Sequence, residues 1–388
     1  MHKEICTDIS IVGAGVAGLM TAARLLEVGY CVTVLDKAPS VCKGSSVRNE
    51  GWLHAGTYHA TSIKDEKTAY LVAQRCKYGN EKIRKLAPEA IREPDIDSYA
   101  VFKDEEYANF AVKRWDSAGI QFSAVMLREL AAQCPEINVQ PIVQAYKVND
   151  ASIHTPSLYS NLVERIKASG GEFFLQSTIR VDANGQAWIH SENNPSDIPL
   201  NSQLVINTTG YGMAEFLTQF FGQEYSMRFW KSHLIAYPRL GKHNVFYIEP
   251  GEAAAIQHGK VTMVGQHEDA LNIDVPDITP VETQSGLVIS AAQRLYQQAS
   301  ATVPLVTACL KPDLKSTATA ARSVGVDIHE PKAGFIFALP GKMTESPCLA
   351  DKLVELVEEK SINRGSKKGS CSIFVPITPR PCDEWSNT

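Results

Sequence analysis

Short apolar runs and longer amphipathic stretches alternate along the chain, and their spacing predicts where strands and helices form. Residues 8–12 and 30–35 are compact runs rich in β-branched side chains, a pattern that is typical of buried strands. Between them, residues 19–28 are rich in apolar side chains with isolated charges, and this run ends at Gly29 as helices often do. The first 36 residues therefore predict a strand, a helix and a second strand.

The same patterns continue to about residue 359. Helices are predicted over residues 64–87, 105–117, 158–168, 284–300 and 347–359. Strands are predicted over residues 99–102, 139–150, 173–176, 203–210 with a small-residue turn, 229–237, 245–248, 260–264 and 334–339. Strands alternate with helices in some stretches and cluster together in others, which predicts two lobes of different architecture.

A glycine-rich turn joins the first strand to the first helix, and it reads Gly13-Ala-Gly15-Val-Ala-Gly18. In this pattern the first glycine permits a tight turn, the second lets the backbone approach a pyrophosphate, and the third lets the helix pack on the strand. The helix start then offers unpaired N–H groups and the positive end of its dipole to the phosphates. We expect Val16 and Ala17 to share this contact.

Asp36 ends the second strand, where an acidic side chain accepts hydrogen bonds from the ribose hydroxyls of adenosine. An acid there would repel a 2′-phosphate, which disfavours NADP, and Lys37 is expected beside it. The later run that begins at Gly210 lacks the third glycine of a second fingerprint. One dinucleotide site without a separate dehydrogenase signature favours a tightly held flavin.

The predicted fold class is therefore α/β, with a Rossmann-type FAD-binding lobe assembled from discontinuous segments and a β-rich (α+β) substrate lobe. The FAD-binding lobe is predicted to comprise residues 1–85, 150–215 and 320–360, and the substrate lobe residues 86–149 and 216–319. Residues 361–388 are rich in Lys, Gly, Ser and Pro and are predicted to form a loosely ordered tail.

Composition narrows the class of protein. The 388 residues are 44% hydrophobic and 21% charged, which is ordinary for a globular chain. Net charge is −5, so there is no electrostatic reason to expect nucleic acid or an anionic membrane surface as a partner. No run of about 18 apolar residues predicts a membrane span. The nine scattered cysteines form no Cys-x-x-Cys pair, and the chain enters a strand without room for a signal peptide. We expect a reduced, cytoplasmic protein without a metal site.

A second motif follows Asp36 by about ten residues, and it reads Ser45-Ser46-Val-Arg48-Asn49-Glu-Gly51-Trp-Leu-His54-Ala-Gly56-Thr-Tyr58. Together with the glycine-rich unit it resembles the D-amino-acid-oxidase-like superfamily (DAO family) of FAD-dependent oxidoreductases. Within that superfamily it most resembles the L-2-hydroxyglutarate dehydrogenase and glycerol-3-phosphate dehydrogenase branch. The resemblance implies that this segment crosses the flavin, with the cofactor-binding positions Ser45, Ser46, Arg48, Asn49 and Gly51.

Weaker resemblances extend to about residue 358. Thr208-Thr-Gly210 resembles the end of the family's second flavin-lobe strand, which implies that Thr209 and Gly210 contact FAD. Residues 247–251 with 264–265 resemble its substrate-lobe hairpin. Residues 341–347 resemble the loop and helix start beneath the isoalloxazine, which implies cofactor contacts from Gly341, Lys342, Met343 and Thr344. Ser346 and Pro347 suit the N-cap and first turn of a helix whose dipole would stabilise anionic reduced flavin.

The resemblance also implies a carboxylate clamp at Arg322, although the context reads Ala-Ala-Arg-Ser where the family has Gly-x-Arg. A guanidinium suits this role because its planar fork binds a carboxylate through two hydrogen bonds. A surface or interdomain salt bridge is the other role for Arg322. Arg48 and Lys231 are alternative anion partners, and Lys231 lies in a Trp230-Lys-Ser-His233 context that also departs from the family.

Three roles are open to His54: the base that takes a hydroxyl proton, a covalent flavin tether, or a histidine packed against the ring. A base suits the histidine pKa near neutrality. The other histidines of these regions are more often simply hydrogen-bonded side chains; they are His59, His233, His258 and His267.

These features predict a FAD-dependent dehydrogenase or oxidase that transfers a hydride from the CH–OH carbon of a small carboxylic acid, such as a 2-hydroxy acid, to FAD. The alternative is oxidation of a CH–NH bond in an amino acid or secondary amine, which needs no strong protein base. An NADPH-dependent aromatic monooxygenase and a non-catalytic flavoprotein are further alternatives. The electron acceptor, whether oxygen, a quinone or an electron-transfer protein, is left open by the sequence.

Overall fold

The computed structural model describes residues 4–91, 93–181, 186–191, 194–221, 227–266, 270–314, 325–365 and 374–385. The chain divides into two compact units. Unit 1 comprises Met1–Val47, Pro156–Met227 and Pro312–Thr378, and unit 2 comprises Arg48–Thr155, Arg228–Lys311 and Pro379–Thr388. No helix among the described residues is long and apolar enough to cross a membrane.

The strands are β1 (Ile5–Val12), β2 (Val32–Asp36), β3 (Trp52–Leu53), β4 (Ser98–Phe102), β5 (Phe122–Val125), β6 (Gln144–Val148), β7 (Ala151–Ser152), β8 (Glu172–Leu175), β9 (Ser177–Val181), β10 (Ala187–Ser191), β11 (Asn194–Asn207), β12 (Met227–Pro238), β13 (Asn244–Tyr247), β14 (Ala253–His258), β15 (Val261–Gln266), β16 (Leu271–Ile273), β17 (Leu305–Leu314), β18 (Asp327–Lys332) and β19 (Phe335–Leu339). The α-helices are α1 (Val16–Glu27), α2 (Thr57–Ser62), α3 (Glu66–Leu86), α4 (Glu105–Ala118), α5 (Leu127–Gln133), α6 (Thr155–Ala168), α7 (Met213–Phe221), α8 (Glu282–Leu295), α9 (Ser346–Glu359) and α10 (Pro381–Trp385).

The sheet of unit 1 has a parallel centre, with the strand order β18-β19-β11-β1-β2-β8, and the β9–β10 hairpin attached to β11. Strand β1 lies parallel to both β2 and β11. Its last six residues are all buried, as expected for a parallel strand covered on both faces. Helix α1 packs against α9, and Arg24 Nε donates to Asp351 Oδ1 at 2.9 Å between them.

The sheet of unit 2 is mainly antiparallel, with the order β16-β12-β15-β14-β13-β4-β6-β5 and β17 beside β12. Successive residues of a strand point to opposite faces, and the two faces bury different clusters. Phe102 and Phe246 pack with Trp115 on one face. Tyr99 and Val245, from the same strands, pack with α8 on the other. The alternation explains why these strands are buried on both sides.

The structure confirms the predicted fold class, a mixed α/β protein with a Rossmann-like nucleotide-binding sheet. The lobe boundaries differ from those predicted, because residues 48–85 fall in unit 2 rather than with the nucleotide-binding sheet. The physical reason is that α2 and α3 pack with α4, and Ala60 and Ala73 join the Trp115 cluster.

Residues 374–382 differ from the loosely ordered tail predicted for residues 361–388, whereas residues 366–373 and 386–388 of that tail lie outside the described residues. In unit 1, Val41 N–H donates to Pro376 O at 2.9 Å, and Ser40 and Thr378 share a hydrogen bond. In unit 2, Cys382 is buried in an apolar cluster. Helix α9 begins at Ser346 itself, after a short helical turn over Met343–Glu345, so Ser346 is not the N-cap.

Candidate active site

The glycine turn of unit 1 leaves no room for side chains at two of its positions. Gly13 adopts φ 106°, and a Cβ there would lie 2.8 Å from the Thr208 carbonyl carbon. A Cβ at Gly18 would overlap the Gly13 carbonyl oxygen and lie 2.7 Å from Thr208 Oγ1. The Thr208 hydroxyl donates to Gly13 O at 2.9 Å and so fixes the turn against the end of β11. Thr208 is a positioning residue that the glycine pattern does not reveal.

The amino end of α1 is arranged as an anion site. Gly15 precedes the helix in an extended conformation and has no side chain to cap it, and the first turn holds no acidic residue. Ser46 reaches this end of the helix, because Val16 N–H donates to its hydroxyl oxygen at 3.0 Å. The Tyr159 hydroxyl donates to the Ser46 carbonyl and holds that residue in place. The positive end of the helix dipole is thus available to a phosphate.

Asp36 lies at the end of β2 with its carboxylate turned back towards the glycine turn. Oδ2 accepts from Ala14 N–H at 2.7 Å and Oδ1 from Ala38 N–H at 2.8 Å. Burial raises the pKa of Asp36, and these two hydrogen bonds oppose the rise. A carboxylate has about four acceptor positions, so it can also accept from ribose hydroxyls. Lys37 Nζ lies 3.3 Å from Glu215 Oε2 in an exposed ion pair.

The end of β11 brings further polar groups to the same sheet edge. Asn207 Oδ1 accepts from Thr209 N–H at 2.9 Å and from the Thr209 hydroxyl at 2.7 Å. Asn207 Nδ2 is buried with no hydrogen-bond partner within the described parts of the chain. Gly210 adopts φ 61°, and no described atom lies within 4 Å of the position its Cβ would take. Thr209 and Gly210 thus form an open polar turn after the strand.

The loop after β19 completes the candidate cofactor residues of unit 1. Gly341 adopts φ 70°, and a Cβ there would lie 2.6 Å from Gly325 O. Lys342 N–H donates to Pro340 O at 2.7 Å, which closes the turn. Met343 and the buried Thr344 form the helical turn that leads into α9, whose first turn contains no acidic residue.

The residues of unit 1 fit the adenosine diphosphate part of FAD. The start of α1, whose N-cap residue is a glycine, supplies donors and a positive dipole end for two phosphates, and the glycines keep side chains out of the approach. Asp36 supplies the acceptor for the ribose. This donor and acceptor set is what a dinucleotide requires.

In unit 2, the segment that follows residue 47 forms a tight turn. Asn49 Oδ1 accepts from Gly51 N–H at 2.9 Å. Gly51 adopts φ 64°, and a Cβ there would lie 2.5 Å from His258 Cε1. His258 Nε2 hydrogen-bonds the Glu50 carbonyl at 2.7 Å, and burial lowers the pKa of His258 to about 3. His258 is therefore a neutral, structural histidine. Arg48 begins the segment and is partly buried.

His54 lies between β3 and α2 among aromatic rings. Its side chain is 14% exposed, and its ring centroid lies 4.3 Å from that of Trp52 and 4.6 Å from that of His59. His59 is itself buried, with Nδ1 3.7 Å from Cys76 Sγ. Nδ1 of His54 lies 4.0 Å from Oδ1 of Asp150, a buried carboxylate.

Sequence reasoning missed Asp150. It accepts from Trp52 Nε1 at 2.8 Å and from Ala55 N–H at 3.1 Å, both through Oδ1, while Oδ2 accepts from the Thr57 hydroxyl at 2.7 Å. Burial raises the pKa of Asp150 to about 6 in spite of these three hydrogen bonds. Asp150 lies 98 positions after Trp52, so no local motif links them. The sequence placed Asp150 at the end of a single strand predicted over residues 139–150, which gave no sign of these contacts.

The other candidate site residues predicted from the sequence either bind a partner in the structure or lie outside the described residues. Lys231 is 3% exposed and forms an ion pair with Asp277 at 2.6 Å, so it is engaged as a structural cation. His233 Nε2 accepts from Val281 N–H at 3.0 Å. Arg322 and His267 lie outside the described residues.

Comparison with known proteins agrees with this geometry. The family model described as FAD dependent oxidoreductase (DAO) matches residues 8–339. A probable FAD-dependent oxidoreductase of Pseudomonas aeruginosa is 45% identical over 60 residues, and this match spans 16% of the chain and 15% of that protein.

Solved structures that resemble most of the chain include three oxidoreductases. Glycine oxidase from Geobacillus kaustophilus has a TM-score of 0.69 at 16% identity, covering 96% of this chain and 100% of that one. L-α-glycerophosphate oxidase from Mycoplasma pneumoniae has a TM-score of 0.70 at 16% identity, and the match covers 97% of this chain and 99% of that one. L-proline dehydrogenase from P. horikoshii has a TM-score of 0.70 at 14% identity, and the match covers 92% of this chain and 95% of that one. Likeness at this level of identity shows a shared fold.

Proposed function

The chain belongs to the family of FAD dependent oxidoreductases, with FAD as its cofactor, and we propose that it oxidises the CH–OH carbon of a small carboxylic acid such as a 2-hydroxy acid. The observation that carries this proposal is His54, a partly exposed imidazole beside the buried carboxylate of Asp150. Oxidation of an alcohol requires a group that takes the hydroxyl proton, and an imidazole suits that task at neutral pH.

The glycine turn, Asp36 and the residues around them hold the cofactor in this proposal. The start of α1 binds the two phosphates, and Asp36 binds the ribose. Ser45, Ser46, Thr209 and Gly210 bind further along the cofactor, as do Arg48, Asn49 and Gly51. The family resemblance implies that residues 341–344 would hold the flavin ring, where the positive dipole end at the start of α9 would stabilise the anionic reduced ring.

The reaction divides into a hydride and a proton. Held by the residues named above, FAD would supply the acceptor for the hydride of the substrate carbon. His54 takes the hydroxyl proton, so the C–H and O–H bonds break and a carbonyl forms. The family resemblance implies that Arg322, which lies outside the described residues, binds the substrate carboxylate, a role that suits a guanidinium because its planar fork offers two hydrogen bonds. Reoxidation requires an acceptor, which is oxygen, a quinone or an electron-transfer protein.

Oxidation of an amino acid or secondary amine is the second candidate. Glycine oxidase and L-proline dehydrogenase share the fold, as does L-α-glycerophosphate oxidase, so the fold accommodates both bond types. A neutral amine needs no protein base, because the nitrogen supplies its own lone pair. The two functions therefore differ in how strongly the rate depends on His54.

Anaerobic mixing of the purified protein with 2-hydroxy acids, glycerol 3-phosphate and amino acids tests the proposal. We expect absorption bands at about 370 and 450 nm from bound oxidised flavin, and bleaching by a 2-hydroxy acid. Acid precipitation checks for a covalent tether at His54, since tethered flavin stays in the pellet. Bleaching by amines alone would replace the first function by the second.

Substitution of His54 separates the two functions further. His54→Gln should slow bleaching by a 2-hydroxy acid about 10²–10⁴-fold, the usual contribution of a general base. His243→Gln is the matched control, because His243 is a buried histidine of unit 2 whose Nδ1 accepts from Asp97 N–H. The control should leave the rate of flavin reduction unchanged.

A further inference from the structure

We propose that Asp150 is a positioning residue for His54, which fixes the segment that carries the imidazole and stabilises the positive charge that the ring gains with the substrate proton. The proposal rests on the proposed function, because that function makes His54 the base. Neither the glycine motif nor the motif around His54 includes Asp150, which lies between β6 and β7.

The hydrogen bonds of Asp150 enclose His54 on both sides along the chain. Trp52 Nε1, two residues before His54, and Ala55 N–H, the next residue, both donate to Oδ1. The Thr57 hydroxyl donates to Oδ2 at the start of α2. The short β3–β7 pair also joins the two segments, with Leu53 opposite Ala151. One carboxylate thus holds the Trp52 side chain before the imidazole and the Ala55 backbone after it.

The three hydrogen bonds that Asp150 accepts do not by themselves explain why the side chain at this position is charged. Asp150 is buried, and burial of a carboxylate is costly unless a positive group compensates it. An asparagine could accept from Trp52 and Ala55 without that cost. His54 Nδ1 lies 4.0 Å from Oδ1, so a protonated ring would face the carboxylate directly. The negative charge of Asp150 therefore has its strongest stabilising interaction when His54 carries the substrate proton.

Other titratable groups surround this pair in unit 2. His59 of α2 lies edge-on to His54, and Cys76 of α3 contacts His59. Tyr58 packs on His59 from the same helix. Arg84 of α3 donates to Asn149 O at 3.0 Å and interacts electrostatically with Asp150. Arg84 is a permanent cation, whereas only His54 changes its charge during the proposed reaction and lies within 4 Å of the carboxylate.

A double-mutant cycle tests the proposal. Asp150→Asn, His54→Gln and the double variant are loaded with FAD, and the rate of flavin reduction is followed from pH 5 to 9. We expect D150N alone to slow reduction about 10–100-fold and to move the acid limb of the profile to lower pH, because the imidazolium loses its counter-charge. In the H54Q background the same substitution should have no further effect.

Nuclear magnetic resonance of ¹⁵N-histidine protein gives a readout that needs no turnover. In D150N, the ring nitrogens of His54 should take up their proton at lower pH than in the wild type. Asp8→Asn is the matched control, since Asp8 is a buried carboxylate of β1 that accepts from Cys31 N–H at 2.7 Å and from Gly365 N–H at 3.0 Å. The control should leave the His54 titration unchanged.

Wild-type protein provides the same test without a substitution, which covers the case of a D150N protein that fails to fold. Two groups 4.0 Å apart titrate as a coupled pair. The Asp150 carboxyl carbon and the His54 ring nitrogens should therefore share inflections in one pH titration. Independent titrations, or equal slowing by D150N with and without His54, would overturn the proposal.

Failure of the proposed function has a different signature. In that case H54Q reduces its flavin as fast as the wild type, whatever the coupling of the two groups. Failure of the present inference instead leaves H54Q slow while D150N matches the wild type in rate and in the His54 titration.

Discussion

Gly18 has no space for even one methyl group, because a Cβ would overlap the Gly13 carbonyl oxygen. Gly18→Ala should therefore cost at least about 3 kcal/mol in the free energy of unfolding and release FAD, since the overlapping atom is backbone. Urea unfolding and the flavin absorbance of the purified variant measure both effects.

Gly286→Ala is the matched control for that substitution. Gly286 lies within α8, and no described atom lies within 4 Å of the position its Cβ would take. This change should stabilise the protein by about 0.5–1 kcal/mol, because alanine loses less conformational entropy in a helix. Equal effects of the two substitutions would contradict the packing described for the glycine turn.

His258 makes stability depend on pH. An unfolded histidine takes up its proton near pH 6.5, whereas burial lowers the pKa of folded His258 to about 3. Between pH 6.5 and pH 3 the unfolded state therefore binds more protons than the folded state. The free energy of unfolding consequently falls as the pH is lowered through this range. His258→Gln, which can still donate to the Glu50 carbonyl, should flatten the loss of stability between pH 7 and 4. Urea unfolding at several pH values measures the free energy of unfolding of both proteins. The same pH dependence in the variant and the wild type would contradict a neutral buried His258.

Residues that act through their neighbours in sequence were predictable, and those that act through distant partners were not. Gly13, Gly15 and Gly18 form one local motif whose spacing follows from a single turn. Asp150 meets Trp52, Ala55 and Thr57 only after folding, and its segment was read simply as part of a strand. Local pattern carries no information about such a contact.

At the scale of elements, α2 is short and depends on its neighbours. It has six residues, and Gly56 before it adopts φ 102° without a side-chain cap within the described chain. Trp115 of α4 holds it, because its Nε1 donates to Thr57 O at 2.8 Å. Short helices are marginal alone, so their stability comes from such contacts.

Trp115→Phe should therefore loosen α2. We expect a loss of about 1–3 kcal/mol and faster amide hydrogen exchange over residues 57–62, since the Thr57 carbonyl loses its buried donor. Trp188→Phe in β10 of unit 1 is the control, because Trp188 belongs to a hairpin of the other unit. Unchanged exchange in α2 of the Trp115 variant would show that the hydrogen bond does not hold this helix.

For elements with a strong hydrophobic periodicity, the sequence predicted the first and last residues closely. It did not predict which other elements pack against them. Helix α3 was predicted over residues 64–87 and spans Glu66–Leu86. The same helix packs with α2 and α4 in unit 2, although its position in sequence suggested the nucleotide-binding lobe. An amphipathic stripe shows that a helix buries one face but not which sheet or helix covers it.

At the scale of the whole molecule, the end of the chain contributes to stability. Residues 374–378 hydrogen-bond with Ser40 and Val41 in unit 1, and Cys382 is buried among apolar residues in unit 2. Removal of residues 374–388 should therefore lower the melting temperature by about 5 °C or more, because several hydrogen bonds and buried side chains are lost.

Removal of residues 386–388 alone is the control, since none of the contacts just named is lost. Differential scanning calorimetry of both truncations compares them directly. Equal melting temperatures for the wild type and the longer truncation would contradict a stabilising role for this segment.

The strand order of unit 1 also has a consequence for synthesis in the cell. Strand β1 ends at residue 12, yet its neighbour β11 begins at residue 194 and β19 begins at residue 335. At ordinary translation rates, roughly 10–40 s separate the emergence of β1 from that of β11, its partner on that side. During that interval the apolar edge of β1 has no native partner on one side. We therefore expect this edge to stay unpaired in nascent chains until β11 has emerged, and premature termination after β11 yields a sheet that lacks β18 and β19.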